Sequence, residues 1–442
     1  MRNSFFSILS IDKKHLDLKT EIEGGLATFF TMCYIIFVQP VVLSKLNMDP
    51  GAVMIATCLA SAIACFAMGV LANYPIALAP GMGHNFLFVS IATAYSLTFQ
   101  KALGIIFISG MLFIILSFLP FREKILNEIP MGIKHGISVG IGFLITLIGL
   151  EWAGIVVGAP GTYIGLGKLN SYPVLISFIG FVIIVLLTLK GVKSAIIWGI
   201  LSSTILSLLS GLSNFSGIVD YPPSVCPTFG KLEISGNFFS LTFLNVIFTF
   251  LFLDVFDTVG TLVGVGEQGK FLVNGKLPRA KQAFLADAIG TVVGSIFGTS
   301  TITSYIESAS GISVGAKTGI ASIVTGILFL LSIFFYPLVR TVGSAYITET
   351  GLVLYPTIAP ALIFVGFLMI TNIKKIDFAN YEESIPAFLA LAIIPLGFSI
   401  SDGIAISFIT YCAIKVLLFK FKDISFVVYI LTLIFLFRYI FA

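Results

Sequence analysis

Apolar residues run along this chain in stretches of about twenty, separated by short polar segments. Each stretch is long enough to cross the ~30 Å hydrocarbon core of a bilayer as a helix. The predicted spans lie at 24–43, 51–71, 81–97, 102–120, 132–150, 172–189 and 194–212, and, after a polar stretch, at 241–263, 281–298, 304–315, 319–338, 355–371, 386–399 and 403–419. The pattern predicts an all-α polytopic membrane protein with about 14 transmembrane segments. It leaves open whether the last apolar stretch, 425–441, also spans.

Lysine and arginine residues are concentrated in alternate loops, and this bias predicts the orientation. With a cytoplasmic N-terminus, the basic residues of the inner side are Lys13, Lys14, Lys19, Arg122, Lys124, Lys134, Lys190, Lys193, Lys270, Lys276, Arg279, Lys281, Lys374 and Lys375. The outer loops carry mostly isolated charges, as the positive-inside rule expects. Because seven is odd, the two sets of seven spans run in opposite senses, which is the arrangement of inverted-repeat transporters.

Composition excludes an ordinary soluble protein. Of 442 residues, 57% are hydrophobic and 10% are charged, whereas soluble domains carry about 25% charged residues. The net charge of +4 comes with no nucleic-acid-binding motif. Four of the five cysteines lie in apolar spans, and their spacing matches neither a disulfide framework nor a metal site. We therefore expect a multi-pass protein of the cell inner (plasma) membrane, with no cofactor, no metal and no nucleic-acid partner.

The third span of each half breaks the helical pattern. In the first half the sequence NYPIALAPGMGHNFLF, residues 73–88, has prolines and glycines where a regular helix would begin. The matching place in the second half, GTSTITSYIESASGIS at 298–313, is rich in threonine and serine, which suit an extended segment. Both predict a short extended segment leading into a half-helix. Paired interruptions of this kind indicate the binding site of a transporter.

Three acidic residues lie in apolar surroundings. Asp254 and Asp257 are three residues apart in the eighth span, so they share one helix face. An aspartate at a helix centre costs ~2.5–3.5 kcal/mol on insertion scales, so this face is expected to avoid lipid. Glu307 lies in the second interrupted segment. The alternatives to a functional role are a hydrogen-bonded structural pair for the two aspartates and a helix cap for Glu307.

Further candidates surround these acids. The candidate substrate contacts are Asp254, Glu307, Asn85, Gly81, Gly83, Phe86, Thr258 and Ser308, and the candidates for proton coupling are Asp254, Asp257 and Glu307. Asn85 can instead cap its glycine-rich turn, Phe86 can simply pack, and His84 is expected to be a packing residue. Asp287 follows Arg279 and Lys281, which predicts an ion pair near the membrane surface.

The three motifs NYPIALAPGMGHNFLF, FLFLDVFDTVGTLVGV and TSTITSYIESASGIS resemble those of the purine permeases in the AzgA-like branch of the nucleobase–cation symporters, which includes guanine/hypoxanthine permeases. The resemblance covers nearly the whole chain. It implies the uracil-permease fold, with a core domain formed by 1–120 (spans 1–4) and 241–338 (spans 8–11). The gate domain would be formed by 121–240 (spans 5–7) and by 339–442, which holds spans 12–14 and the last hydrophobic segment.

The resemblance also implies proton-coupled uptake of purine bases. By motif, Asn85 matches the amide of the third span, Asp254 the substrate-side acid of the eighth span and Glu307 the acid of the tenth; Asp257 matches the second acid of the eighth span. The residues agree with this function, because a carboxylate can accept two N–H bonds from one edge of a flat purine. An acid buried in the protein can also carry a proton.

We therefore expect a secondary transporter that imports hypoxanthine, guanine and, as a further candidate, adenine together with protons. The alternatives are a carrier of the same fold for uracil, xanthine, ascorbate or a small anion, a channel, and a membrane-embedded enzyme. A channel predicts rings of like charge, and an intramembrane aspartyl protease needs its two aspartates on different helices; the sequence has neither. The sequence does not decide the preferred purine, the coupling ion ratio or whether the chain forms a homodimer.

Overall fold

Helices dominate the structure, as the sequence predicts. A computed structural model describes residues 17–118, 129–159, 161–234, 241–273 and 277–441. Among the basic residues that predict the orientation, those outside these ranges are Lys13, Lys14, Arg122, Lys124 and Lys276.

The described helices follow the two halves of the chain. The first half contains α1 (Leu18–Met32), α2 (Ile35–Ser44), α3 (Pro50–Ala67), α4 (Met82–Ala94), α5 (Phe99–Phe118), α6 (Met131–Trp152), α7 (Tyr172–Leu189) and α8 (Ala195–Leu209). The second half contains α9 (Leu241–Gln268), α10 (Ala280–Phe297), α11 (Ser308–Val314), α12 (Gly319–Ser332), α13 (Tyr336–Val342), α14 (Ala359–Ile370), α15 (Tyr381–Leu396), α16 (Ile400–Leu417) and α17 (Phe426–Phe441). Short strands form three antiparallel pairs: β1 (Leu78–Pro80) with β4 (Ile302–Ser304), β2 (Val156–Ala159) with β3 (Thr162–Leu166), and β5 (Tyr346–Ile347) with β6 (Val353–Leu354).

Eight helical segments within the described residues are long and apolar enough to cross a membrane. The other predicted spans are shorter or interrupted: α4 and α11 have 13 and seven residues, and α15 contains Pro386 and Pro395. The multi-pass architecture is confirmed, whereas the number of 14 spans and the cytoplasmic N-terminus stay predictions. The stretch 425–441 forms α17, which packs against α9 and α16, and whether it spans stays open.

Local sequence signals explain several helix ends. Asp49 caps α3 by accepting from the amide of Ala52 at 2.7 Å, and Pro50 occupies the first turn, where a missing N–H is tolerated. After a π turn, the chain leaves this span at Asn73, whose left-handed φ of 51° suits asparagine. Gly298 ends α10 with a φ of 98°, a conformation that glycine adopts without strain. The chain therefore turns sharply just before both extended segments.

The helices pack in two groups. In one group α3 packs against α10 and α12, α5 against α9 and α10, and α1 against α11 and α12. In the other group α6 packs against α14, α15 and α16, while α7 and α8 pack against each other and against α14. Between the groups, Lys193, in the turn between α7 and α8, donates to the carbonyl of Ser310 at 3.2 Å and to the hydroxyl of Ser313 at 2.7 Å. The pair β1 and β4 lies within the first group.

Candidate functional site

Two extended segments, one from each half, cross at the centre of the first helix group. Strands β1 and β4 pair antiparallel, with Leu78 opposite Ser304 and Pro80 opposite Ile302. All six strand residues are buried. The strands lead into the half-helices α4 and α11. The extended segments predicted from the two interrupted spans are therefore confirmed, and their pairing brings the two interruptions together.

Asp254 of α9 lies fully buried beside this crossing. Its Oδ2 is 3.1 Å from the hydroxyl of Thr291, and its Oδ1 has no hydrogen-bond partner among the described residues. The Thr291 hydroxyl is also 2.9 Å from the carbonyl oxygen of Ile302. A carbonyl can only accept, and a hydroxyl has one proton. When Thr291 donates to Ile302, the contact with Asp254 requires a proton on the carboxyl group. The geometry fits a protonated Asp254.

Asp287 of α10 is the neighbour that explains this arrangement. It is fully buried, it accepts from the Thr258 hydroxyl, and its other oxygen is 3.3 Å from the Ser304 hydroxyl. Its carboxyl group interacts with that of Asp254. Two carboxyl groups this close in a low dielectric do not both ionise readily. One ionised Asp287 with two hydroxyl donors and one protonated Asp254 satisfy the observed contacts.

The predicted ion pair of Asp287 at the membrane surface is therefore wrong. The two basic residues expected to pair with it lie over aromatic rings instead: Arg279 is 4.8 Å from the ring centre of Tyr74, and Lys281 is 4.7 Å from that of Phe118. Asp287 follows them by about two helical turns and so lies deeper in the packing. The overlooked signal is its position well inside an apolar helix, the same signal that identified Asp254.

Asp257 and Glu307 differ from that pair because both are partly exposed. The side chain of Asp257 is 44% exposed, and Glu307 is half-buried. The two carboxyl groups are close enough to interact electrostatically. One oxygen of Glu307 accepts from the Tyr34 hydroxyl at 2.8 Å. These contacts give two accessible acids, one from α9 and one from the N-terminus of α11.

His84 lies next to the side chain of Asp257. Its ring is buried, its Nδ1 is 4.0 Å from an oxygen of Asp257, and neither ring nitrogen has a hydrogen-bond partner among the described residues. A separation of 4.0 Å is too long for a hydrogen bond. A Cβ added to Gly81 would be 2.6 Å from both His84 Nδ1 and a methyl group of Thr303. Glycine at 81 is therefore required by close packing at the start of α4.

Asn85 is buried and belongs to a chain of hydrogen bonds. Its side-chain oxygen accepts from the Ser300 hydroxyl, and the Gln39 amide donates to Ser300 and Thr299 at 3.0 Å each. The chain links α2, the segment before β4 and α4. Asn85 thus ties α4 to the segment before β4.

The other predicted contacts have protein partners or packing roles. The Thr258 hydroxyl donates to Asp287, and the Ser308 hydroxyl donates to the Tyr305 carbonyl at 2.7 Å and accepts from the Ala77 amide at 3.0 Å. Phe86 is 6% exposed, and a Cβ added to Gly83 would be 3.1 Å from Ile141 of α6. No cluster of three His, Cys, Asp or Glu side chains suited to a metal ion occurs in the part of the chain that the structure describes.

Comparison with known proteins places this chain in a family. A model described as "Permease family" matches residues 19–406. The chain belongs to this permease family. It is 42% identical to the guanine/hypoxanthine permease PbuG of Bacillus subtilis, over 98% of this chain and 99% of PbuG. It is 39% identical to the adenine permease AdeP of Escherichia coli, over 96% of this chain and 93% of AdeP.

Solved structures of distant transporters show the fold of this family member. The transmembrane domain of the cyanobacterial bicarbonate transporter BicA matches with a TM-score of 0.62 and 14% identity, over 88% of this chain and 98% of that domain. The murine anion transporter Slc26a9 in its inward-facing state matches with a TM-score of 0.64 and 12% identity, over 95% of this chain and 72% of Slc26a9. The predicted fold class, an all-α polytopic membrane protein, is confirmed.

Proposed function

We propose that this permease imports purine nucleobases by proton symport, with hypoxanthine, guanine and adenine as the candidate substrates. The relatives named as guanine/hypoxanthine and adenine permeases match over nearly their full lengths, which supports a purine base as the substrate. The observation that carries the proposal is the pair of accessible acids, Asp257 and Glu307, beside the crossing of β1 and β4.

The chemistry of a purine suits these two acids. The base is flat and presents N–H donors along one edge, and a carboxylate can accept two of them in a charge-assisted, oriented way. Glu307 has one oxygen bonded to Tyr34, which leaves the other for the base. Asp257 lies across the same space, where it can accept a second N–H. In this proposal Glu307 and Asp257 hold the base.

We assign the transported proton to the buried pair, Asp254 and Asp287. Asp254 and Asp287 share one proton at a place where a charge change alters the bonds of Thr291, Thr258 and Ser304. Since these three residues hold α9, α10 and β4 together, protonation can change the geometry of the substrate space. Coupling of this kind is reciprocal, so the bound base also changes the affinity for the proton. The sequence motif had matched Asp254 to the substrate instead; the burial of Asp254 and the exposure of Asp257 favour the division proposed here.

For the movement, we propose that the two helix groups are the core domain, 1–120 with 241–338, and the gate domain, 121–240 with 339–442. Dense packing within each group supports this division. The bonds from Lys193 to Ser310 and Ser313 cross between the groups, so motion of the core past the gate has to break them. Alternating access then follows from one group moving against the other around a fixed site.

An anion carrier is the main alternative, because the transporters of similar fold carry bicarbonate or other anions according to their descriptions. The carboxyl groups at this site argue against it, since an anion would meet Asp257 and Glu307 in low dielectric. Competition for radiolabelled hypoxanthine uptake by unlabelled purines, pyrimidines and bicarbonate tests the substrate class. Purines alone should compete; competition by bicarbonate but not by purines would contradict the proposal.

A further inference from the structure

The first span has an irregular helical junction beside the second half-helix. Helix α1 ends at Met32 and α2 begins at Ile35, and Cys33 and Tyr34 between them keep right-handed helical angles, so the two helices form one span, Leu18–Ser44. This junction contains no proline or glycine. Tyr34 is 2% exposed, and its hydroxyl donates to Glu307 at 2.8 Å. The junction therefore places a buried hydroxyl beside the acid assigned to the substrate.

Further contacts fix this junction against the N-terminal end of α11. The Thr31 hydroxyl is 3.0 Å from the Ser310 hydroxyl and 3.4 Å from the backbone carbonyl of Glu307. Below them, a Cβ added to Gly311 would be 2.4 Å from the carbonyl oxygen of Gly24, so the two backbones nearly touch. Close contacts thus surround the bond between Tyr34 and Glu307.

We infer that Tyr34 is a positioning residue that orients the Glu307 carboxylate for the substrate. Free glutamate has three rotatable side-chain bonds, and ordering them opposes binding. The Tyr34 bond fixes one carboxylate oxygen before the base arrives, so the other oxygen is already oriented. The inference deepens the proposed function and rests on it, because it assumes that Glu307 holds the base.

The bond also contributes to the charge state of Glu307. A phenol donates to the ionised form of a carboxyl group and therefore favours that form. The other titratable groups that face Glu307 are Tyr305 from the end of β4 and Asp257 from α9. The Tyr305 hydroxyl already donates to the carbonyl of Pro80 at 2.5 Å, and Asp257 is itself an acid. Among these described groups, Tyr34 is the one that donates to Glu307.

The test is hypoxanthine binding to the purified full-length protein, measured from pH 5 to pH 9, with Tyr34→Phe beside wild type. Loss of one hydrogen bond to a charged group should weaken binding about 10-fold at neutral pH. The ionised form of Glu307 binds the base, so the affinity for hypoxanthine falls as the pH drops. Without the Tyr34 hydroxyl, this fall in affinity should begin at a higher pH. The control is Tyr74→Phe, another buried tyrosine of the same helix group, whose oxygen accepts from the Arg279 amide at 3.3 Å. It should leave both the affinity and the pH midpoint unchanged.

A second variant keeps the test decisive if Tyr34→Phe misfolds. Incorporation of 3-fluorotyrosine at position 34 keeps the shape and strengthens the donor, so the pH midpoint should move downward. An unchanged midpoint in both variants would overturn the role of Tyr34, even if Tyr34→Phe lowers affinity by disturbing packing. Failure of wild type to bind any purine base is a separate outcome, which would overturn the proposed function itself.

Discussion

At the scale of single residues, the four acids divide by burial into two pairs. Asp254 and Asp287 are fully buried and contact hydroxyl groups of neighbouring segments, whereas Asp257 and Glu307 are partly exposed. An amide replaces the carboxyl group with a similar shape and no charge. Replacing an acid by its amide is therefore expected to abolish coupling in the buried pair and to weaken substrate binding in the partly exposed pair.

Asp254→Asn should separate binding from coupling. The asparagine resembles a protonated aspartate and can donate to the Thr291 hydroxyl, so the protein should fold and bind hypoxanthine with nearly wild-type affinity. Because the amide cannot release a proton, accumulation of hypoxanthine against its gradient should disappear. Binding to purified protein and uptake into cells, normalised to surface protein, give the two readouts. Asp377→Asn, at an exposed position, is the control. Wild-type accumulation in Asp254→Asn would remove Asp254 from the coupling pathway.

Glu307→Gln should lose most binding. Glutamine offers one acceptor oxygen and puts an N–H where the N–H of the purine points. A buried polar group left without a hydrogen bond costs ~1–3 kcal/mol. Affinity for hypoxanthine should fall about 10-fold or more, and Asp257→Asn should behave alike because it faces the same space. Asn85→Ala should weaken binding less, since its oxygen is bonded to Ser300 within the protein. Equilibrium binding to the three variants decides between them. Wild-type affinity in Glu307→Gln would show that the base binds elsewhere.

Sequence alone could locate these acids but could not pair them. The cost of charge in an apolar helix singled out Asp254, Asp257 and Glu307. The same argument applied to Asp287, but the nearby Arg279 and Lys281 suggested an ion pair at the membrane surface instead. Only the packing of α10 against α3 and α5 shows that these two basic residues lie over aromatic rings. Spacing of three places Asp254 and Asp257 on one helix face, yet it cannot tell which of the two contacts a neighbouring helix.

At the scale of elements, the close approach of α1 and α11 sets the position of Glu307. Gly311→Ala should lower the melting temperature and weaken hypoxanthine binding, because the new Cβ would be 2.3 Å from the Thr28 hydroxyl and the helices must separate. Gly264→Ala in α9 is the matched control, as its Cβ would meet no atom within 4 Å. The control should keep the melting temperature or raise it slightly, since alanine stabilises a helix more than glycine does. Equal melting temperatures for the two variants would contradict the packing described here.

The extended segments were predictable, and the contact of Tyr34 with Glu307 was not. Prolines and glycines before α4 and β-branched residues in β4 exclude a regular helix locally. Tyr34 lies in an apolar stretch that reads as an ordinary part of its span, and its partner Glu307 is 273 residues away in the chain. A contact between residues so far apart depends on tertiary packing, so no local sequence pattern reveals it.

At the scale of the whole molecule, the account requires that the proton and the base cross together. We propose that the two helix groups are the moving parts and that the acids at the centre of one group couple the movement to the proton. The extended segments before α4 and α11 followed from the sequence, whereas their pairing as β1 and β4 came from the structure. The number of spans could not be fixed from it, because half-helices and proline-containing helices are too short for a hydropathy count.

The most direct test of the central claim is uptake of radiolabelled hypoxanthine by proteoliposomes that contain the purified chain in sodium-free buffer. An acidic outside should drive accumulation above the external concentration, and a protonophore should abolish it. Liposomes with the Asp254→Asn variant should show no response to the pH gradient. Accumulation that survives the protonophore but requires sodium would contradict proton symport, and no saturable uptake of any purine under either gradient would contradict purine import.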